Sequence, residues 1–357
     1  MEFDGLKIAE NDELKCCKSS DYNFIFNKKT GFFARWGRTE EEDPQWAPSA
    51  ELLDIEITTI CHGIKGKDGK ERLCNFCYKS NTPNGKNMSF ETFKKIFKKF
   101  NKSLTQIALG LDSHATSNPD TFKIMRYCRD NNVIPNLTVA QIDDETADKI
   151  VSVAGACAVS RYEDKDICYD SVRRLTDRGL LQTNIHFFIH QNNFDQAIET
   201  LNDILIDERL KKLHAIVFLS LKKCGRGINY TQLSDEKFRE LISFATKNNI
   251  RFGFDSCSAF KYLKVIESEK YFGRTRKYCE PCEATLFSSF VNVDGFFTPC
   301  SFSDGTKDWE EGLDVVNCND FIKDIWMNEK TIKFREKLLN TENNNHLKCR
   351  ECPIYKI

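Results

Sequence analysis

The sequence has no apolar run near the roughly 20 residues that a membrane-spanning helix requires, which excludes a helical membrane protein. It also lacks an excess of charge. Lys and Arg total 52 against 53 Asp and Glu, a net charge of −1. That balance gives no general affinity for anionic lipid, and no basic stripe marks a large nucleic acid as partner. The start, Met1-Glu2-Phe3-Asp4-Gly5, is acidic and has no signal-peptide core, so a cytoplasmic location is expected. Disulfides are rare there.

Cysteine, by contrast, is abundant. There are 16, and without disulfides they read as metal ligands or buried thiols; C-x2-C pairs favour ligands. The first group is Cys61, Cys74 and Cys77, in C-HGIKGKDGKERL-C-NF-C-Y, directly after an apolar run at 52–60 that reads as a strand. Three thiolates are one short of a closed tetrahedral site. They suit a zinc ion with one open position or a four-iron cluster with one open iron. The insert at 62–73 carries Gly63, Gly66 and Gly69 and many charges. It reads as an exposed loop that lets Cys61 fold back towards the other two, at little entropic cost.

Residues 1–48 form an N-terminal extension. Aromatic alternating runs at 22–26 and 32–36 flank Asn27-Lys28-Lys29-Thr30-Gly31 and predict a β-hairpin, either a lid on the barrel or a plug at one end. Cys16 and Cys17 adjoin and are left unassigned. From residue 49 to 257, short apolar runs at 107–110, 135–139, 157–160, 185–189, 215–219 and 251–254 alternate with amphipathic stretches. Ser89, Asn118-Pro119-Asp120 and Ser234 mark helix starts. Repeated β-α units predict a parallel sheet with helices outside. In an α/β barrel the site lies at the C-terminal strand ends, where Cys61 falls. Residues 258–278 read as a charged connector, and 279–357 as a separate small cysteine-rich domain.

In that last segment Cys282 and Cys300 flank Gly295, and 291–297 reads as a hairpin that brings the two thiols together. The chain then ends with Cys349-Arg350-Glu351-Cys352. Cys279 is a substitute ligand, Cys318 a spare, and Cys224 packs or lines the pocket.

The aromatic residue before the last cysteine of the first group makes the chain resemble the radical S-adenosylmethionine (SAM) enzymes, which use C-x3-C-x-aromatic-C after the first barrel strand. Here twelve residues, not three, separate Cys61 from Cys74. The C-terminal cysteines resemble the family's auxiliary-cluster domains, SPASM or the one-cluster twitch form. The resemblance implies a partial (β/α)6 barrel with a [4Fe-4S] cluster on Cys61, Cys74 and Cys77 that binds SAM. One auxiliary iron–sulfur cluster would sit on Cys282, Cys300, Cys349 and Cys352. Phe76, Tyr78, Gly110, Asp112, Ser160 and Arg173 would contact the cofactor, and Cys257, at the end of the last barrel strand, would either donate hydrogen to a substrate radical or be a buried thiol. The implied reaction cleaves SAM to a 5′-deoxyadenosyl radical that takes a hydrogen atom from a substrate. That substrate would be a peptide or protein side chain, or alternatively a small molecule or nucleotide. The electron donor would be a flavodoxin or ferredoxin. The reading of another class is a zinc-stabilised α/β binding protein.

Overall fold

The architecture follows from two kinds of strand. A computed structural model describes residues 6–66, 68–100, 102–341, 347 and 349–355; the acidic start, residues 1–5, lies outside the described residues. Four antiparallel strands come first: β1 (Lys7–Glu10), β2 (Leu14–Lys18), β3 (Asn23–Asn27) and β4 (Phe33–Trp36). The expected hairpin is β3–β4, with Asn23 opposite Trp36 and Phe26 opposite Phe33. It belongs to a larger sheet than the sequence suggested.

The barrel strands are β5 (Leu52–Glu56), β8 (Gln106–Gly110), β9 (Ile134–Val139), β10 (Ala156–Ser160), β11 (Gln182–Ile189), β12 (Ala215–Ser220) and β13 (Phe252–Phe254); β6 (Ile64–Lys65) and β7 (Glu71–Arg72) lie in the insert. The helices between them are α1 (Phe90–Phe97), α2 (Thr121–Asp130), α3 (Asp144–Val153), α4 (Lys165–Asp177), α5 (Phe194–Ile206) and α6 (Asp235–Lys247). Six β/α units therefore precede the short last strand, as the (β/α)6 expectation requires. Ser89 and Ser234 cap α1 and α6, each accepting from the backbone N–H three residues on.

Strand side chains alternate between two environments, as the period of two dictates. Ile107, Leu109, Leu137, Val159, Ile185, Phe187, Ile216 and Phe218 are buried against the helices. The opposite set mixes small or polar residues, Asp54, Ala108, Asn136, Ala158, Ser160, Asn184 and His186, with the larger apolar Phe188, Val217 and Leu219. Register aligns these across the barrel, with Asp54 beside Ala108, Ala108 beside Asn136, and Ser160 beside His186. The interior is thus polar in part and enclosed by an apolar outer layer.

The N-terminal sheet closes the end away from the mouth. Lys15 donates to the Leu104 carbonyl (2.9 Å), Lys28 to Asn132 (2.8 Å), Gln182 to Thr30, and Tyr22 to Glu51. These partners all precede or begin barrel strands, so the sheet is the plug and not the lid.

After β13 the stretch expected as connector is helical, with α7 (Ala259–Val265) and α8 (Phe272–Tyr278). The C-terminal segment contributes β14 (Ser288–Val291), β15 (Phe296–Thr298), β16 (Leu313–Asp314) and α9 (Glu329–Leu339). The hairpin expected around Gly295 is β14–β15, with Gly295 at φ +87° in the turn. Its strand β14 pairs in parallel with β5, so the barrel sheet runs on into this segment as one sheet of ten strands.

Candidate functional site

The loops after the strands assemble two groups of thiols. The segment after β5 returns along itself: the N–H groups of Thr59 and Cys61 donate to the carbonyls of Lys86 (2.9 Å) and Thr82 (3.0 Å), and Met88 N–H donates to Ile57 (2.9 Å). This pairing brings Cys74 and Cys77 back beside Cys61. The described residues of the insert are mostly exposed, as expected, but carry regular pairing. Strands β6 and β7 pair, and Gln141 bonds both backbone groups of Lys65 (3.0 and 3.2 Å). Cys61 Sγ lies 3.5 Å from Ser113 Oγ. Burial pushes the Cys74 thiol up to about 11, and the nearby sulfurs of Cys77 and Cys61 add to the rise. The three expected ligands are thus neighbours.

The loop after β12 holds this group in place. The Arg226 backbone N–H donates to the Cys77 carbonyl (3.0 Å), its Nε to Cys74 (2.8 Å) and its Nη1 to Asn81 (3.2 Å). Gly225 makes the approach possible: it sits at φ +53°, and a Cβ there would fall 2.2 Å from the Tyr78 carbonyl oxygen. Sequence reasoning noted this loop but not the clamp. It also missed Tyr162, whose phenol lies beside Ser160 and Cys74. Only its spacing, two residues past the strand-end Ser160, marked it. Phe76 stacks on Phe188 (centroids 4.7 Å apart) and packs on Tyr162 (5.2 Å). That forms an aromatic wall beside Cys74 and Cys77.

The other expected cofactor contacts divide. Ser160 is at the mouth, beside Tyr162. Gly110 lies where β8 meets β5, and a Cβ would come within 3.1 Å of Glu56 Cα. Asp112 is occupied: its carboxylate accepts from the N–H groups of His114, Thr116 and Ser117 at 3.1 to 3.3 Å, holding its own turn together. Arg173 is exposed on α4, with Asp170 at 3.9 Å as its ion-pair partner, so the structure puts it on the solvent side. The buried arginine near Ser160 is Arg161, whose Nη2 lies 3.7 Å from Glu199. Tyr78 packs on Phe302 (4.4 Å) and bonds Ser301, facing the C-terminal segment. Lys79 bridges the same gap, contacting Glu56 (3.2 Å) and Asp304 (2.8 Å). His186, in the barrel interior, is held neutral by burial, its pKa lowered to about 4.

The second thiol group differs from the expected set. Cys257, in the turn after Asp255, shares its surroundings with Cys282, Cys300 and Cys352. Tyr355 helps draw them together: its N–H donates to Cys352 Sγ (3.3 Å) and its hydroxyl to the Phe302 carbonyl (3.1 Å). Cys349 instead neighbours Cys279. Cys318 lies apart, donating to the Val315 carbonyl (3.3 Å). Burial raises Cys257 and Cys282 to about 12 and Cys349 to about 11, so these are protonated thiols that a bound metal must deprotonate.

Among the described residues no three His, Cys, Asp or Glu side chains converge closely enough to hold one metal ion. A single tetrahedral ion requires such convergence. A four-iron cube takes its thiolates at separate irons, so two looser groups of sulfur donors fit that cofactor in chemical kind. A cavity of about 500 Å³ opens beside the edge strand, lined by Phe252, Phe254, Tyr262, Tyr271, Arg274 and Cys279 among others; neither thiol group lines it. No helix among the described residues is long and apolar enough to cross a membrane.

Comparison with known proteins gives one family match and similar solved structures. Residues 279–353 match the SPASM family, an iron-sulfur cluster-binding domain. The fold is similar to Streptococcus suis SuiB bound to precursor peptide SuiA, with a TM-score of 0.66 at 11% identity over 90% of this chain and 89% of that one. It is similar also to SuiB bound to S-adenosylmethionine, with a TM-score of 0.58 at 13% identity over 87% of this chain and 76% of that one. No curated protein sequence matches the chain. The C-terminal segment thus matches an iron-sulfur cluster-binding domain, and the chain as a whole shares the fold of SuiB. The resemblance drawn from the cysteine motifs is borne out at that level.

Proposed function

We propose that this protein reductively cleaves SAM and uses the resulting 5′-deoxyadenosyl radical to modify a peptide oxidatively. The observation that carries the reading is the juxtaposition of Cys61, Cys74 and Cys77 at the barrel mouth, opposite a segment that matches an iron–sulfur domain. The SuiB structures, one bound to SAM and one to a precursor peptide, support SAM as cofactor and a peptide as substrate.

In this reading Cys61, Cys74 and Cys77 hold a cluster with one open iron, and Cys257, Cys282, Cys300 and Cys352 hold the auxiliary one. When bound, the first cluster supplies the electron that breaks the sulfonium bond. A flavodoxin or ferredoxin supplies that electron from outside. Arg226 fixes the carbonyls of Cys74 and Cys77 and adds positive charge beside the thiolates. Phe76, Phe188 and Tyr162 provide the wall that excludes water, and Ser160 and Tyr162 offer hydroxyls to a polar ligand. Cys257 becomes a metal ligand in this account and not a hydrogen donor.

The test is anaerobic reconstitution with iron and sulfide, followed by SAM and dithionite. Formation of 5′-deoxyadenosine supports the reading. Iron-loaded protein that yields none refutes it, as does colourless protein with stoichiometric zinc.

A further inference from the structure

We propose that Lys222 is a built-in cation that raises the reduction potential of the auxiliary cluster. The inference rests on the ligand reading above. Lys222 follows β12 by two residues and is only 4% exposed. Its ammonium pairs with Asp255 and lies 4.8 Å from the centroid of the Phe302 ring. Both contacts locate it among the second thiol group. Asp255 is two residues before Cys257, and Phe302 is two residues after Cys300. The Phe302 carbonyl accepts from Tyr355, whose own N–H bonds Cys352. The Lys222 carbonyl accepts from Cys224 Sγ (3.7 Å), and the sulfurs of Cys257, Cys300, Cys352 and Cys224 lie near the ammonium.

This is a costly place for a charge. Burying an ammonium costs several kcal/mol unless other charges compensate. The lone carboxylate is shared, since Asp255 also accepts from Ser258 Oγ and from the Ser220 N–H (3.4 Å). Neutral thiols add no compensating charge. Four thiolates on a cluster would, and their net negative charge increases on reduction. A fixed cation beside them stabilises the reduced form more than the oxidised form, and so raises the potential. Sequence alone gave no sign of this, because Lys222 and Lys223 read alike.

The experiment is an anaerobic redox titration followed by EPR. It uses the reconstituted full chain, and a Cys61→Ala/Cys74→Ala/Cys77→Ala background that keeps only the auxiliary cluster. Lys222→Met is expected to lower the auxiliary midpoint potential, and Lys222→Arg to retain it. Asp255→Asn, which strips the neutralising carboxylate, is expected to raise it. An unchanged potential in Lys222→Met at full iron content overturns the proposal. Should Lys222→Met lose its iron, the Asp255→Asn titration decides: an upward shift supports the proposal, and no shift or a downward one overturns it. A parent background that binds no iron fails differently. It overturns the ligand reading, and the inference with it.

Discussion

Arg35 is the most exacting place to test the electrostatics of this fold. It lies on β4 with its side chain 9% exposed, contacting Glu51 (3.1 Å), Glu280 (2.8 Å) and Glu283 (3.7 Å). Its guanidinium lies 3.6 Å from the Phe287 ring centroid. One cation thus ties the plug sheet, the first barrel strand and the residue after Cys282 together. Burial raises Glu51 from its ordinary 4.5 to about 7, although Arg35 and Tyr22 pull it down. A carboxyl whose folded pKa is raised favours the native state at low pH. That contribution is present below about pH 4.5 and is lost as pH rises through 7, amounting to about 3 kcal/mol for a shift of this size. Arg35→Met keeps the stem and removes the charge. At about pH 8, above the Glu51 value, it leaves the buried Glu51 without its cation, for an expected loss of about 3–5 kcal/mol. At about pH 5 Glu51 is neutral and the loss is expected to be smaller. Urea unfolding under reducing, anaerobic conditions at both pH values measures this. A loss below about 1 kcal/mol at the higher pH, or equal losses at both, would refute the reasoning.

Two further predictions concern the thiols and the loop that holds them. Cys257→Ala is expected to lose the auxiliary cluster and keep the first one, whereas Cys349→Ala keeps both; iron and sulfide counts with EPR decide, and the reverse outcome would restore Cys349 as the ligand. Gly225→Ala forces a side chain into left-handed backbone and against the Tyr78 carbonyl at 2.2 Å, a strain of about 1–3 kcal/mol. The Arg226 clamp should loosen, so the variant is expected to retain less iron on the first group after gel filtration, with the auxiliary cluster intact.

Much of the barrel was legible because its short apolar runs alternate with amphipathic helices, and because Ser89 and Ser234 are local caps. Strands β1 and β2 were not legible. Lys7–Glu10 is mostly exposed, and β2 buries Lys15, which is tolerable because the Leu104 carbonyl and the Glu10 carboxylate (3.5 Å) receive it. A contact 89 residues away leaves no local trace. At the site, spacing located the thiols, but the structure groups them differently. Cys349 and Cys352 have the spacing of two ligands to one metal, yet Tyr355 draws Cys352 towards Phe302 while Cys349 stays by Cys279. Arg173 failed for a related reason: its place on α4 depends on which helix face meets the barrel, and Val172 and Leu175 take that face.

The pairing of β14 with β5 carries the strongest consequence. Leu52 lies opposite Ser288, and Ile55 opposite Val291. Cys282 lies shortly before one of these strands and Cys61 shortly after the other, so a hydrogen-bonded ladder fixes the two thiol groups relative to each other. Tyr78 on Phe302 and Lys79 on Asp304 brace the same junction from above. A separate domain on a connector could swing, and the gap between its cluster and the barrel mouth would then vary. A shared sheet holds that gap constant. Under the proposed function, the residues that would hold the two clusters are tied to one backbone ladder, while Lys222 would adjust the driving force of electron transfer independently.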